Sequence, residues 1–556
     1  MRAKSRQLAQ KAQARLIPTS LRSVLSHKKN GAGTAAQSPR SLPASLKDEI
    51  HVDWEQRLVF GPRETLERPA FREWIANLHE VETPPIFLRP VPTALTDVVH
   101  MRRESQTGQI RSIMPMKHNV ASFDRMLNHI REAASFNASD LHIHRVGDTA
   151  RIQFRVDGSL ADAWELTPAE ADSLIIALCQ GIATDRSQGQ FNFAEFQDAQ
   201  VEGKILDGTG LANIRILRGP CAPVQRGGNY AALRLQAENA LQREPQPASH
   251  VTLTTPRVPV EPVKLREMGF SSTQITKLYY ILASSRGILI NSGPIGSGKT
   301  TTLYECCKRK AQVDPGRRLI TIERPIEIPM PWAIQLAATE DTLDVIMAAV
   351  LRSNPDDIVV QEIQNLAVAR IAVQAALTGH FVMSTMHLGS PFGYMARFES
   401  FDAKEFSIKS VVEKDFVRGV IAQRLVPLLC PHCSIPWDPE DGRIDDQDRA
   451  VLAAWGDLST LRQTGPGCPH CRSGRIGRRA VAEIVVVDAK LNRDFVELGM
   501  EKAKTLYRQR PDADPPMIVT ALERAFKGEF DPRDVRQMVG AFPESRQHVT
   551  DGDFAE

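Results

Sequence analysis

The chain has 556 residues, a length sufficient for roughly three or four ordinary domains. Hydrophobic residues make up 42% and charged residues 24% of it, fractions that exclude collagen-like, wholly disordered and disulfide-framework proteins. The formal net charge of +3 is too small to mark the whole molecule as a nucleic-acid binder, so no nucleic-acid partner is expected.

We expect neither a membrane-spanning nor a secretory segment from the sequence. No apolar run approaches the roughly 18 residues that a spanning helix needs. The N-terminus is basic but lacks the apolar stretch that follows in a signal peptide. We therefore predict a cytoplasmic protein, in which the eight cysteines are thiols, metal ligands or core residues rather than disulfides.

The N-terminal region is basic and of low complexity. Residues 1–47 contain ten Lys or Arg and no acidic residue, and we predict a mobile basic arm. Such an arm could bind an anionic membrane surface or an acidic partner, or could be a solvated tail. The fold of residues 48–117 cannot be assigned from the pattern.

An α/β domain is predicted over residues 118–236. It contains a helix-like segment and four short β-rich segments, which are Pro168–Gly181, Asp140–His144, Ala150–Val156, Asn213–Leu217 and Tyr230–Leu235. The following residues, 237–262, are polar and contain prolines, which indicates a linker.

Residues 263–429 alternate between apolar runs and helix-like segments. The runs are Gly287–Asn291, Leu319–Glu323, Asp357–Glu362 and Phe381–His387. This alternation predicts a parallel sheet with helices on both faces. Residues 430–490 contain four cysteines, and residues 491–556 are predicted to be helical.

A phosphate-binding loop follows the first apolar run. The segment fits the pattern G-x-x-x-x-G-K-[ST], and the predicted nucleotide-binding residues are Gly293, Pro294, Ile295, Gly296, Ser297, Gly298, Lys299, Thr300 and Thr301. Its glycines allow a tight turn that directs backbone N–H groups at phosphate oxygens. Lys299 is predicted to bridge the β- and γ-phosphates of ATP or GTP, and Thr300 to hold Mg²⁺.

Nucleotide hydrolysis also needs acids that position water and metal. Glu362 ends a run that reads as a Walker B strand, and Glu323 ends another. Either could instead be a solvated acid at the end of a strand. His380 and His387 bracket the fourth run, where an imidazole could sense the γ-phosphate or serve a structural role.

The cysteines predict a zinc site. Two C-P-H-C knuckles, Cys430–Cys433 and Cys468–Cys471, are separated by 34 residues and can present four thiolates, from Cys430, Cys433, Cys468 and Cys471. A redox role for one knuckle is the less favoured alternative. The other four cysteines lack ligand spacing and are predicted to be buried or incidental.

In order and sequence, these motifs resemble the type II secretion and type IV pilus assembly ATPases. The resemblance covers some 400 residues, from Ser139 to Gly540, and includes ASDLHIH, GPIGSGKTTTLY, TIERPIE, LRSNPDDIVVQEIQN, TGHFVMSTMH and GVIAQRLVPLLCPHC. It implies an α/β fold in which a RecA-like P-loop ATPase domain follows a smaller PAS-like domain, with a zinc-bearing helical C-terminal region.

The resemblance also implies a function. It implies a homo-hexameric ATPase that uses ATP, Mg²⁺ and Zn²⁺ and is peripheral at the cytoplasmic face of the inner membrane. Such a motor drives polymerisation of pilin or pseudopilin through a polytopic platform protein. A tetracysteine module is typical of assembly motors in this family, and here it could face the platform protein or only staple its own segment.

The resemblance assigns roles to six residues. Glu362 resembles the catalytic Walker B glutamate, Glu323 the acid of the Asp box, and His380 and His387 the His-box pair. In this family, arginines of the preceding domain reach the phosphates.

Arg215 and Arg234 are the candidates for those arginines, although either could be a surface residue. The sequence departs from the family pattern in the Asp box and in the Walker B region. Arg324 replaces an acid, Asn354 an aspartate and Gln361 a glycine, so metal and water coordination could be altered. Hydrolysis is still expected because the loop, both acids and both histidines remain.

Two other functions fit the same motifs. A conjugation or type IV secretion ATPase would share the nucleotide site, but such relatives typically lack the zinc module. A nucleotide-binding scaffold would bind ATP without appreciable hydrolysis, and an ATPase measurement separates it from a motor.

Overall fold

The computed structural model describes most of the chain in ten segments, which are residues 42–43, 45–47, 49–54, 57–81, 88–93, 116–186, 191–238, 251–339, 341–440 and 444–544. The predicted basic arm, residues 1–47, lies almost entirely outside them. Two compact units divide the chain, at residues 1–115 and 116–556. No helix of the described segments is both long and apolar enough to cross a bilayer.

The first unit contains a small three-stranded sheet. Its elements are β1 (His51–Asp53), β2 (Leu58–Gly61), α1 (Arg63–Leu66), α2 (Pro69–Val81) and β3 (Arg89–Pro92). Strand β2 is central and pairs antiparallel with β1 and parallel with β3. Buried apolar side chains, including Phe71 and Trp74, join the sheet to the helices and give this unit its own core.

The second unit begins with an α/β domain. Its elements are α3 (Met116–Ser135), β4 (Asp140–Val146), β5 (Thr149–Val156), β6 (Ser159–Leu166), α4 (Pro168–Ile176), β7 (Asp185–Arg186), β8 (Gln197–Glu202), β9 (Leu211–Pro220) and β10 (Asn229–Ala237). A π-helical turn, Ala177–Ile182, extends α4. The strands form one antiparallel sheet in the order β6-β5-β4-β10-β9-β8-β7. The four predicted strands therefore lie in this sheet, each longer than its apolar run.

The two faces of this sheet have different partners. Because side chains alternate along a strand, Leu141 and Ile143 of β4 point to one face, where they pack in the core with helices α3 and α4. Asp140, His142 and His144 point to the other face and are also buried, at 2%, 0% and 4% exposure. A polar face this deeply buried must be covered by another part of the protein.

The following domain, which the resemblance predicts to be the ATPase domain and which keeps that name below, covers that polar face. Tyr230 Oη lies 3.0 Å from Ser353 Oγ, and Asn354 Nδ2 donates to Asp140 Oδ2 at 2.7 Å. Both Nη atoms of Arg155 donate to the Asp356 carboxylate, at 3.2 and 2.8 Å. These contacts fix one arrangement of the two domains within the second unit.

The ATPase domain is built on a mainly parallel sheet. Its elements are α5 (Leu265–Met268), α6 (Ser272–Leu282), β11 (Gly287–Ser292), α7 (Lys299–Val313), β12 (Leu319–Glu323), β13 (Ile334–Ala337), α8 (Leu343–Arg352), β14 (Asp357–Glu362), α9 (Leu366–Leu377), β15 (Phe381–Met386), α10 (Tyr394–Phe401), α11 (Ile408–Lys414) and β16 (Val417–Leu429). The strand order is β13-β12-β14-β15-β11-β16-β19, with only the last pair antiparallel. Buried apolar clusters cover both faces, which confirms the predicted α/β class.

The C-terminal region continues from this sheet. Its elements are β17 (Ile435–Pro436), α12 (Asp446–Trp455), β18 (Arg462–Gln463), β19 (Arg475–Val486), α13 (Ala489–Leu498), α14 (Met500–Arg508), α15 (Met517–Phe526) and α16 (Pro532–Met538). Strand β19 pairs with β16 in the central sheet, so the predicted module at residues 430–490 contributes a strand to the ATPase core. The last four helices agree with the predicted helical region.

Candidate nucleotide site

The phosphate-binding loop follows a fully buried strand. All six residues of β11 are buried, and helix α7 begins at Lys299. Between them, Gly293, Gly296 and Gly298 have φ of 152°, 76° and 86°, in the region that favours glycine. A Cβ on Gly293 would lie 2.4 Å from the Gln423 carbonyl oxygen, so only glycine fits there.

Lys299 folds back onto this loop. Its Nζ donates to the carbonyl oxygens of Gly293 and Pro294, at 2.8 and 3.0 Å. Burial lowers the pKa of Lys299 from its ordinary value, while the Glu362 carboxylate acts in the opposite direction. The ammonium group therefore lies in the concave side of the turn, where it can contact phosphate oxygens.

Glu362 and His387 meet beside the loop. His387 Nε2 lies 3.2 Å from Glu362 Oε1, and His387 Nδ1 lies 3.1 Å from the Gly293 carbonyl oxygen. A carbonyl oxygen accepts a hydrogen bond, so the ring nitrogen that carries the proton can donate to Gly293 or to Glu362. The imidazole thus links the Walker B acid to the phosphate-binding loop.

Glu323 lies close to the phosphate-binding loop, on the side of Thr300 in the first turn of helix α7. It is 5% exposed, and its Oε1 accepts hydrogen bonds from Thr321 Oγ1 at 2.6 Å and Gln335 Nε2 at 2.9 Å. A cavity is lined by Glu323 together with Thr300 and Gln361. Hydroxyl and carboxylate oxygens are the donors that Mg²⁺ prefers, so this cavity has suitable ligands for it. Thr301, the last predicted loop residue, is exposed on the first turn of α7.

Two departures from the family pattern, Gln361 and Arg324, lie together. Gln361 is the residue before the last in β14, and Arg324 follows β12. The Arg324 N–H donates to Gln361 Oε1, and Gln361 Nε2 donates to the Pro325 carbonyl oxygen at 3.4 Å. The Arg324 side chain is exposed. Gln361 thus orders the loop after β12. The basic side chain of Arg324, which replaces an acid of the family pattern, lies on the surface.

Another departure lies at the opposite edge of the sheet. Asn354 precedes β14, has a φ of 53° and contacts Asp140. Asparagine tolerates this left-handed conformation better than most residues. Asn354 therefore belongs to the domain junction rather than to the phosphate site.

Three predicted catalytic residues lie elsewhere. His380 precedes β15, at the end remote from the loop, and its Nδ1 contacts the Ala375 carbonyl oxygen at 2.9 Å. Arg215 and Arg234 are exposed and directly opposite each other on β9 and β10. Arg234 is also the cross-strand neighbour of Asp140, so both arginines share the sheet face that the ATPase domain partly covers.

Gln423 is a site residue that the sequence did not single out. It is fully buried in β16, where its Nε2 donates to the Ser297 carbonyl oxygen at 2.7 Å and its Oε1 accepts from Thr302 Oγ1 at 2.9 Å. It thereby fixes the loop to the first turn of α7. The only sequence signal was its place in GVIAQRL, a motif to which the resemblance attached no role.

The four predicted zinc ligands converge. Their Sγ atoms all lie within 4.8 Å of one another, with separations of 3.8 Å for Cys430–Cys468 and 3.5 Å for Cys433–Cys471. A tetrahedral Zn²⁺ with Zn–S bonds of about 2.3 Å places sulfurs about 3.8 Å apart. The four thiols therefore fit a closed structural zinc site, which His432 and His470 border with exposed rings.

The chain is similar to known secretion-system proteins. The family model "Type II/IV secretion system protein" matches residues 117–536. The chain is 31% identical to the putative type II secretion system protein E of Escherichia coli K12, over 77% of this chain and 79% of that protein. It is 30% identical to the type II secretion system ATPase E of Vibrio cholerae, over 67% of each. It is also 30% identical to the type IV pilus assembly ATPase TfpB of Acinetobacter baylyi, over 64% of this chain and 54% of that protein.

Proposed function

The chain belongs to the type II/IV secretion system protein family, and we propose that it is an ATP-hydrolysing hexameric motor for type IV pilus assembly or type II secretion. The observation that carries the proposal is the His387 imidazole, which joins Glu362 to the Gly293 carbonyl. This contact puts a base candidate and an imidazole beside the loop that would hold the γ-phosphate.

The chemistry follows from the placement of these groups. Lys299 and the loop N–H groups bind the phosphates, and Thr300 and Glu323 supply oxygen ligands for Mg²⁺. Mg²⁺ would neutralise charge that develops on the phosphates. Glu362 orients water and accepts its proton, and His387 stabilises charge on the transferred group.

Partners and location follow from the proposed function. Movement of the α/β domain against the ATPase domain would act on a polytopic platform protein at the cytoplasmic face of the inner membrane, and through it on pilin or pseudopilin. The four-cysteine cluster favours an assembly motor over a conjugation or type IV secretion ATPase. We place the zinc lobe, residues 430–474, among the surfaces that face the platform protein.

One experiment tests the proposed hydrolysis. The protein is purified, its assembly mass is measured by light scattering, and steady-state ATP hydrolysis is compared with that of a Lys299→Ala variant of the same assembly state. We expect the wild-type rate to exceed the variant rate at least about tenfold. Equal rates in a verified hexamer would instead support the nucleotide-binding scaffold.

The exposed arginines of the α/β domain should contribute to hydrolysis. Arg215 and Arg234 lie on the sheet face that meets the ATPase domain, and a ring would bring their guanidinium groups to a γ-phosphate. We expect Arg215→Ala and Arg234→Ala each to lower kcat at least about tenfold, since arginines that stabilise phosphoryl transfer have large effects. Arg226→Ala removes an arginine of the same domain that is 66% exposed, and should leave kcat within about twofold. If all three variants retain the wild-type kcat, Arg215 and Arg234 are surface residues.

A further inference from the structure

A second cavity lies between the α/β domain and the ATPase domain. It is lined by residues of β4, β5, α7 and the starts of β12 and β14. Leu319 and Asp357 begin those two strands, whereas Glu323 and Glu362 end them. The cavity is therefore at the opposite edge of the central sheet from the phosphate-binding loop.

The lining of this interdomain cavity is strongly cationic. It contains five basic side chains and one carboxylate, which are Arg151, Arg257, Lys310, Arg317, Arg318 and Asp357. Asp357 is shared by Lys310 at 3.2 Å and Arg317 at 2.9 Å. Arg257 pairs with Glu165 at 2.5 Å, where both side chains are mostly exposed. The guanidinium groups of Arg151 and Arg318 are the two cations of this lining that have no carboxylate partner among the described residues.

Arg318 is a buried cation that makes no direct ion pair among the described residues, although the more distant carboxylates of Asp140 and Asp356 act on its charge. It is 4% exposed, and no carboxylate of the described residues lies within 4.0 Å of its guanidinium. Its Nη1 contacts His142 Nδ1, and the Tyr230 ring lies 6.0 Å away. Burial lowers the pKa of Arg318 to about 10, which leaves the group charged at neutral pH. An unpaired buried charge is costly, so a compensating anion would stabilise the folded protein.

Several unpaired donors accompany this charge. Arg318 Nε and Nη2, His144 Nε2 and Trp332 Nε1 are buried and lack a hydrogen-bond partner among the described residues. All three residues line the cavity. Burial also keeps the pKa of His144 well below its usual range, so its neutral ring can present one N–H. Arg151 adds a cation whose Nη2 contacts only the Pro331 carbonyl oxygen, at 3.1 Å.

We propose that the interdomain cavity binds a small tetrahedral oxyanion of the phosphate class. Guanidinium forks suit such oxyanions because they donate parallel N–H bonds to two oxygens. Donors that approach from Arg318, His144, Trp332 and Arg151 need an acceptor with several oxygens, which phosphate or sulfate provides and chloride does not. The proposal does not depend on the proposed ATPase function.

The bound oxyanion would connect the two domains. His144 and Arg151 belong to the α/β domain, whereas Arg318 and Trp332 belong to the ATPase domain. Lys310, which lies on the helix that follows the phosphate-binding loop, lines the same cavity. Occupancy would therefore stabilise the docked arrangement of the two domains.

Equilibrium dialysis of the full-length protein with radiolabelled inorganic phosphate tests the site. Because the phosphate-binding loop also binds phosphate, the parent protein is Lys299→Ala. We expect one saturable site in this parent, with competition by sulfate but not by chloride at equal ionic strength. Adding Arg151→Ala should lower the association constant at least about tenfold, the loss of one charge-assisted contact. Adding Arg226→Ala, an exposed arginine outside the cavity, should not change it.

Two results would overturn the proposal. One is a parent that binds no phosphate at concentrations up to about 10 mM, and the other is an Arg151→Ala protein that binds phosphate as the parent does. Arg318→Met provides a second measurement if Arg151→Ala fails to fold. Because it removes a buried charge that lacks a direct ion pair, its unfolding temperature in phosphate-free buffer should equal or exceed that of the parent, and phosphate should no longer raise it. An Arg318→Met protein that phosphate stabilises as strongly as the parent would also contradict the site.

Discussion

A Glu362→Gln variant should bind ATP normally and hydrolyse it about 10² to 10⁴ times more slowly than the wild-type protein. The amide cannot accept a proton from water, and it also removes the negative partner of His387 Nε2, which lies 3.2 Å from Glu362 Oε1. The phosphate-binding loop itself is unchanged, because Gln423 continues to hold Ser297. The measurement is ATP affinity by a fluorescent analogue together with steady-state kcat.

Glu413→Gln is the matched control for this variant. It makes the same substitution at a helix-surface carboxylate that is 66% exposed and pairs only with Lys409, at 3.8 Å. Its kcat should stay within about twofold of the wild-type value. A Glu362→Gln protein that keeps more than about a tenth of the wild-type kcat would move the role of base to another group. Glu323, which faces Thr300, would then be tested next.

The sequence was informative where a pattern determines backbone geometry. Carboxyl ends of parallel strands meet at one edge of a sheet, and Glu323, Glu362 and His387, which end predicted apolar runs, lie at the edge that carries the loop after β11. Their placement at that edge depends on strand direction alone. Their catalytic roles remain predictions.

Two residues of one sequence motif need not lie close together in the structure. His380 and His387 occur in one motif, but β15 lies between them. At about 3.3 Å per residue, a strand of this length separates its ends by about 20 Å, so the two rings cannot share one phosphate. The resemblance grouped them by sequence, whereas the strand separates them in space.

Pairing between distant segments could not be predicted from local pattern. Strand β19 follows the second cysteine knuckle, and nothing in its own sequence indicates that it pairs with β16 in the ATPase sheet. Likewise, the alternation in β4 predicts that Asp140 and His142 share a face, but not that the ATPase domain buries it. The interdomain cavity forms because the ATPase domain packs on that polar face, a contact between segments that are distant in sequence.

Loss of the expected zinc ion should strongly lower the stability of the zinc lobe. Cys430→Ser should lose the single equivalent of zinc that we expect per chain, because three thiolates leave a tetrahedral site open. Apparent zinc-binding free energies of about 10–16 kcal/mol in small zinc domains exceed the stability of most whole domains. We therefore expect the zinc lobe to unfold at least about 10 °C below its wild-type midpoint, measured by calorimetry alongside zinc content.

Cys306→Ser is the matched control, because Cys306 is fully buried in α7 but lies outside the four-cysteine cluster. Its zinc content should remain at one equivalent. A Cys430→Ser protein with a full equivalent of zinc, or wild-type protein purified without zinc, would contradict the assignment.

Zinc removal should also slow ATP hydrolysis, because one strand joins the two sites. Strand β16 contains Gln423, which holds the phosphate-binding loop, and ends immediately before Cys430. Its partner β19 carries Arg478, whose Nη1 lies 3.5 Å from the Gly296 carbonyl oxygen. Loss of the metal frees the far end of this strand pair, and the hydrogen bonds that position the loop then lose their support. A chelated protein that hydrolyses ATP at the wild-type rate would instead mean that the central sheet fixes β16 without help from the metal.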